Sequence, residues 1–104
     1  MVKRDQPEKR IQLQIIKYLK MKGFACGKVK TTGALKGSQF IRDPYLFRGV
    51  ADLLVFTPKL MFIEVKAGKN KQSPDQLHFE QMCQNADIPY VLAYSLDDII
   101  TLFP

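Results

Sequence analysis

No lysine or arginine follows Lys71. All 16 lie in residues 1–71, against five acids there, a net +11. Residues 72–104 carry five acids and no base, a net −5, so the chain stands at +6. A basic bulk with an acidic end suits a polyanionic partner, and nucleic acid is the usual one. Charge alone is equally consistent with a solvated surface. Other absences narrow the classes further. No apolar run approaches the roughly 20 residues of a membrane-spanning helix, and no membrane partner is expected. The opening MVKRDQPEKR is charged and leads straight into helical periodicity, unlike a secretion signal. Only two cysteines occur, Cys26 and Cys83, without ligand or redox spacing. They are expected as free thiols in a reducing, cytoplasmic compartment. The one histidine, His78, has no cysteine or second histidine near it and reads as a surface or structural residue. There is no Gly-rich phosphate loop, Ser/His/Asp elbow or zinc spacing, so no small-molecule cofactor is expected. No repeat, low-complexity stretch or linker divides the 104 residues, which suit one domain over 1–104.

The elements are readable in outline. Residues 5–22 carry Ile11, Ile15, Ile16 and Leu19 at helical spacing, and Gly23 closes that helix. Residues 24–30 suit a short strand. Residues 31–49 are rich in Gly, Thr, Ser and basic residues and read as a loop, with at most a partial strand. That length in a small domain favours a functional role. Residues 50–56 and 60–67 read as strands joined by Thr57-Pro58-Lys59. Ser73-Pro74 opens a second helix with Phe79, Met82, Cys83 and Ala86 as its apolar stripe. IPYVLAYS is a further strand, and LDDIITLF a short helix or an extended piece. The order αβββαβα predicts an α/β fold, a mixed β-sheet flanked by helices.

Charged residues interrupt these apolar elements. If Thr57–Lys59 is a three-residue turn, Phe56 pairs with Leu60, Leu54 with Phe62, and Asp52 with Glu64. Directly opposed side chains lie about 4.5–5.5 Å apart at Cβ, and like charges there are destabilising. Asp52 and Glu64 therefore need a cation. Lys66 is one candidate; a hard divalent ion is the other. In the first helix, Ile11, Ile15 and Leu19 fall within about 60° of Glu8, at about 100° per residue. Glu8 therefore points with the apolar stripe, although an acid in a first turn also suits the helix dipole. Gly49, ahead of Asp52, permits an unusual backbone angle or a close approach by substrate. Ser73-x-x-Gln76 matches a capping box, and Gln76 also borders the stripe that would face Glu64.

In combination these pieces resemble the PD-(D/E)XK nuclease superfamily, and within it the VRR-NUC family. The resemblance covers nearly the whole chain. It rests on Glu8, Gly49-Val50-Ala51-Asp52, Glu64-Val65-Lys66 and Ser73-Pro74-Asp75-Gln76, in that order. Ala51 stands where the superfamily pattern has proline. The resemblance implies a restriction-endonuclease-like core and a metal-dependent DNA endonuclease. Glu8, Asp52, Glu64 and the Val65 carbonyl would hold Mg²⁺ or Mn²⁺. Lys66 would orient or activate the attacking water, and Gln76 would position Lys66 or the metal ligands. Stand-alone members of this length are typically viral or phage proteins, similar to homodimers that cut four-way junctions. That implies branched DNA as substrate; the apolar YVLAYSLDDIITLF is a candidate dimer face, or else only completes the core. Lys28, Lys30, Lys36, Arg42, Arg48, Lys69 and Lys71 would contact DNA phosphates. Two other readings stay open: a non-catalytic nucleic-acid-binding module with a nuclease-like fold, and a structural domain with an internal Asp–Lys–Glu network.

Overall fold

Helix α1 (Pro7–Met21) buries Ile15 and Leu19, four residues apart on one stripe, with Glu8 in its first turn and Lys20 in its last. It stops at Gly23, which takes φ +97°. The Gly23 amide donates to Lys20 O at 3.0 Å and the Phe24 amide to Leu19 O at 2.9 Å, the paired bonds of a Schellman cap. In this computed structural model the described residues are 7–29, 34–36, 39–41 and 45–104, with 34–36 and 39–41 described in their backbone alone.

The strands are β1 (Ala25–Lys28), β2 (Ala34–Lys36), β3 (Gln39–Ile41), β4 (Leu53–Phe56), β5 (Leu60–Val65) and β6 (Tyr90–Ala93). Two further helices are α2 (Pro74–Asn85) and α3 (Leu96–Leu102). The main sheet runs β1-β4-β5-β6. Its first two pairings are antiparallel, and β5 lies parallel to β6 across α2. The sheet is therefore mixed and helix-flanked, as expected. The order is αβββαβα once β2 and β3 are set aside; these pair only with each other, in a separate antiparallel hairpin. The expected loop over 31–49 is thus partly strand. The hairpin register is the one predicted from a three-residue turn: Phe56 opposite Leu60 and Leu54 opposite Phe62. The Thr57 hydroxyl bonds the Lys59 carbonyl within that turn.

Alternation along these strands splits the core in two. On one face Leu53, Val55, Ile63 and Val65 pack with Ile15 and Leu19 of α1 and Ile99 of α3. On the other, Phe62 and Tyr90 pack with Ala51 and with Phe79 and Cys83 of α2. Of the 90–103 segment, Val91, Ala93, Leu96, Ile99 and Phe103 belong to the first core; Tyr94 and Leu102 stay exposed. LDDIITLF is a helix, the first of its two expected forms. Both cysteines are buried free thiols, and burial pushes both up from the usual thiol range.

The strands end earlier than expected. Asp52 precedes β4, and Lys66 follows β5. Each is still tied to a neighbouring strand by one backbone bond: Val29 N to Asp52 O at 3.0 Å, and Lys66 N to Ala93 O at 2.9 Å. The charged residues therefore sit where the ladder finishes, held in place but outside the regular strands.

Candidate active site

Asp52 is fixed at its backbone by Val29 and at its side chain by Val65, whose amide donates to Oδ2 at 2.9 Å. That second bond crosses the hairpin and sets the carboxylate beside Glu64, its predicted cross-strand neighbour. Glu64 is 1% exposed, the one charged residue in the core among the described residues. Its Oε2 accepts from Gln76 Nε2 at 3.1 Å and lies 3.7 Å from Lys66 Nζ. Its Oε1 is buried without a hydrogen-bond partner.

Burial pushes the Glu64 carboxyl up to about 8, with the charge of Asp52 acting the same way and Lys66 opposing both. The two carboxyls can hydrogen-bond only while one of them holds a proton, an arrangement that also raises Glu64. With both ionised, Oε1 is orphaned. Buried polar atoms normally have a partner, so this one calls for a proton or a cation. A hard divalent ion, which takes carboxylate oxygens, fits that donor set.

Gln76 does both jobs expected of it. Its backbone amide donates to Ser73 Oγ at 3.2 Å and its Oε1 accepts from Ser73 N at 2.8 Å, completing the capping box. Its Nε2 is left for Glu64. One end of the amide caps α2 while the other holds the buried acid.

Gly49 has φ +71°. A Cβ there would fall on the backbone carbonyl of Asp75 and 2.5 Å from the Gln76 amide nitrogen. Both reasons for a glycine therefore apply. The close approach seen in the structure is to the first turn of α2.

Glu8 is half-buried, and its Oε2 accepts from Asn70 Nδ2 at 2.9 Å. The Tyr94 hydroxyl in turn donates to the Asn70 carbonyl at 3.1 Å. Glu8 acts on Glu64 through its charge, as the smallest contribution that raises it. The structure thus brings Asp52, Glu64, Lys66 and Gln76 together and leaves Glu8 at their margin. Among the described residues no three His, Cys, Asp or Glu side chains group closely enough to hold an ion by themselves. Sequence reasoning missed Asn70 and Tyr94, since a loop asparagine and an exposed tyrosine carry no pattern that marks them.

Lys28, Arg48, Lys69 and Lys71 are exposed. Lys28 is opposite Leu53 in the sheet, Arg48 precedes Gly49, and Lys69 and Lys71 flank Asn70. Arg48, Lys69 and Lys71 thus stand in segments that adjoin the site, whereas Lys28, opposite Leu53, is on the α1 face of the sheet. Lys30 and Arg42 lie outside the described residues, as does the side chain of Lys36.

No family model and no curated protein matches the chain. A solved structure described as "VRR_NUC domain" is similar over 95% of this chain and 96% of its own, at 22% identity and a TM-score of 0.70. So few identities over so complete a superposition mean that the likeness is one of architecture. The chain has the fold of a VRR_NUC domain.

Proposed function

We propose that the protein is a divalent-metal-dependent endonuclease that hydrolyses phosphodiester bonds in branched DNA. One observation carries this reading: a buried carboxylate oxygen of Glu64 without a partner, beside Asp52 and with Lys66 within reach, on a VRR_NUC fold. Asp52, Glu64 and the Val65 carbonyl would hold Mg²⁺ or Mn²⁺, with Glu8 as the outlying fourth group. When bound, such an ion lowers the pKa of a water and neutralises charge on the phosphate. The residues of the chain do the rest. Lys66 aims a positive charge at the anion that develops on the phosphate, and orients the attacking water. Gln76 keeps Glu64 in one rotamer, and Val65 N keeps Asp52 beside it. Arg48, Lys28, Lys69 and Lys71 bind phosphates on either side without reading bases. Paired cuts across a four-way junction would need two such sites in a two-fold dimer. Tyr94 and Leu102 would supply exposed apolar surface to its interface.

The test is to incubate labelled duplex, flap, single-stranded and four-way-junction DNA with the protein in EDTA, Mg²⁺ or Mn²⁺, beside Lys66→Ala. Metal-dependent cutting that falls by about 10²–10³-fold in the variant is the expected result. Tight binding without cutting of any substrate would instead support a binding module with a nuclease-like fold.

A further inference from the structure

The segment Tyr45-Leu46-Phe47-Arg48 leads directly into Gly49 and has no part in the chemistry above. Tyr45 is 92% exposed and Phe47 66% exposed. Phe47 is not loose. Its ring centroid lies 6.4 Å from that of Phe79, edge to face, and Phe79 is part of the α2 core. One side of Phe47 is therefore backed by a fixed aromatic, and the rest of the ring faces solvent.

The position is set by the next residue. Gly49 is in backbone contact with Asp75 and Gln76, and Gln76 holds Glu64. Two exposed aromatic residues thus lead into the segment that bears Asp52, beside the turn of α2 that holds Glu64. Arg48, also exposed, follows at once, in the basic part of the chain. Phosphate contacts alone would need only the lysines and arginines. Large aromatics kept in water beside a phosphodiester-cutting site call for an apolar, flat, uncharged occupant attached to a polyanion. Every nucleobase fits that description, once it is out of the duplex stack.

We propose that Tyr45 and Phe47 form a stacking platform for unpaired nucleobases of the DNA strand next to the scissile phosphate, with Arg48 holding the adjoining phosphate. The proposal rests on the nuclease reading for the identity of its ligand, and it supplies what that reading lacks: a way to favour DNA with melted or unpaired bases over plain duplex. Such a platform selects by unpairing and not by sequence, because every base has a π-face.

The test is a binding experiment in EDTA, so that no cutting intervenes. Fluorescence anisotropy compares a fully paired duplex with the same duplex carrying a short single-stranded gap, and 2-aminopurine in the gap reports stacking by loss of its fluorescence. Wild type is expected to prefer the gapped DNA and to quench the probe. Tyr45→Ala and Phe47→Ala should each lose about ten-fold in affinity for gapped DNA, lose the quench, and bind paired duplex unchanged. Phe47 touches the core, so Phe47→Tyr, which keeps an aromatic ring, should retain both signals, and Tyr45→Ala tests the platform at a residue 92% exposed. Equal losses on both DNAs, or no loss on either, would overturn the proposal. So would conversion of a wild-type dimer to monomers by these changes, which would make the patch a contact between copies. The two readings fail separately. A protein that cuts nothing with any metal but keeps this preference loses the nuclease reading alone; cutting without the preference loses the platform alone.

Discussion

At the scale of single residues, the site turns on Glu64. Its carboxyl ordinarily titrates near 4.5 and is raised in the fold to about 8. Between those values the folded protein holds a proton that the unfolded chain has released. Stability from this group is therefore fully present below pH 4.5 and lost as pH rises through about 8. In EDTA, melting temperature should fall as pH climbs across that window, and Glu64→Gln should flatten the dependence. The same variant should melt higher than wild type at pH 9 while losing cleavage, because it keeps the shape of the protonated acid and removes the repulsion with Asp52. A variant that melts lower across the whole range would mean that the charge of Glu64 supports the fold. Asp52 and Glu64 were legible in the sequence because strand alternation and one short turn dictate which side chains oppose. The coupling of Glu8 to Asn70 was not, because it joins groups 62 residues apart in the chain, through an asparagine in a polar loop.

At the scale of elements, the candidate site is built where three of them end: β4 at its start, β5 at its finish and α2 at its first turn. Helix limits and caps were readable because Gly23, Ser73 and Pro74 have local effects on the backbone. Strand limits were less so. The runs Val50–Asp52 and Lys66–Ala67 look like strand by composition, yet β4 starts only at Leu53, after Gly49 has turned the chain against α2, and β5 stops at Val65. That contact gives a prediction. Gly49→Ala combines a left-handed backbone angle with a collision against the backbone of Asp75, and should cost about 2–5 kcal/mol of stability, read by chemical denaturation. Any folded fraction should cut poorly, because the segment bearing Asp52 must draw away from the helix bearing Gln76. Full activity in a stably folded variant would show that this contact does not set the spacing of the site.

At the scale of the whole molecule, charge is divided. Under the proposed function, exposed Arg48, Lys69 and Lys71, in segments that adjoin the acids, would draw DNA toward carboxylates that otherwise repel it. Each lysine contact to phosphate adds about one unit to the slope of log affinity against log salt. Lys69→Gln with Lys71→Gln should flatten that slope by about two, with equal loss on all DNA sequences. An unchanged slope would place the DNA elsewhere. The overall α/β order was legible because the periods of helix and strand alternate cleanly along the chain. The separate β2–β3 pairing was legible only as a loop with a possible partial strand, since three-residue strands leave no period to read.

The site of that pairing has a further consequence. The chain leaves the main sheet after Lys28 and rejoins it at Leu53, and these two residues are partners in the ladder. Both ends of the intervening stretch are thus anchored side by side, whatever lies between. For such a tethered excursion, doubling the length costs only about 0.6 kcal/mol. Its outer part, ahead of Tyr45, is open to lengthening, shortening or exchange for that of a relative without disturbing the hairpin that carries the acids. If the chain is the nuclease proposed above, the residues that cut and the excursion that would grip DNA are in this sense separable modules, free to diverge at different rates.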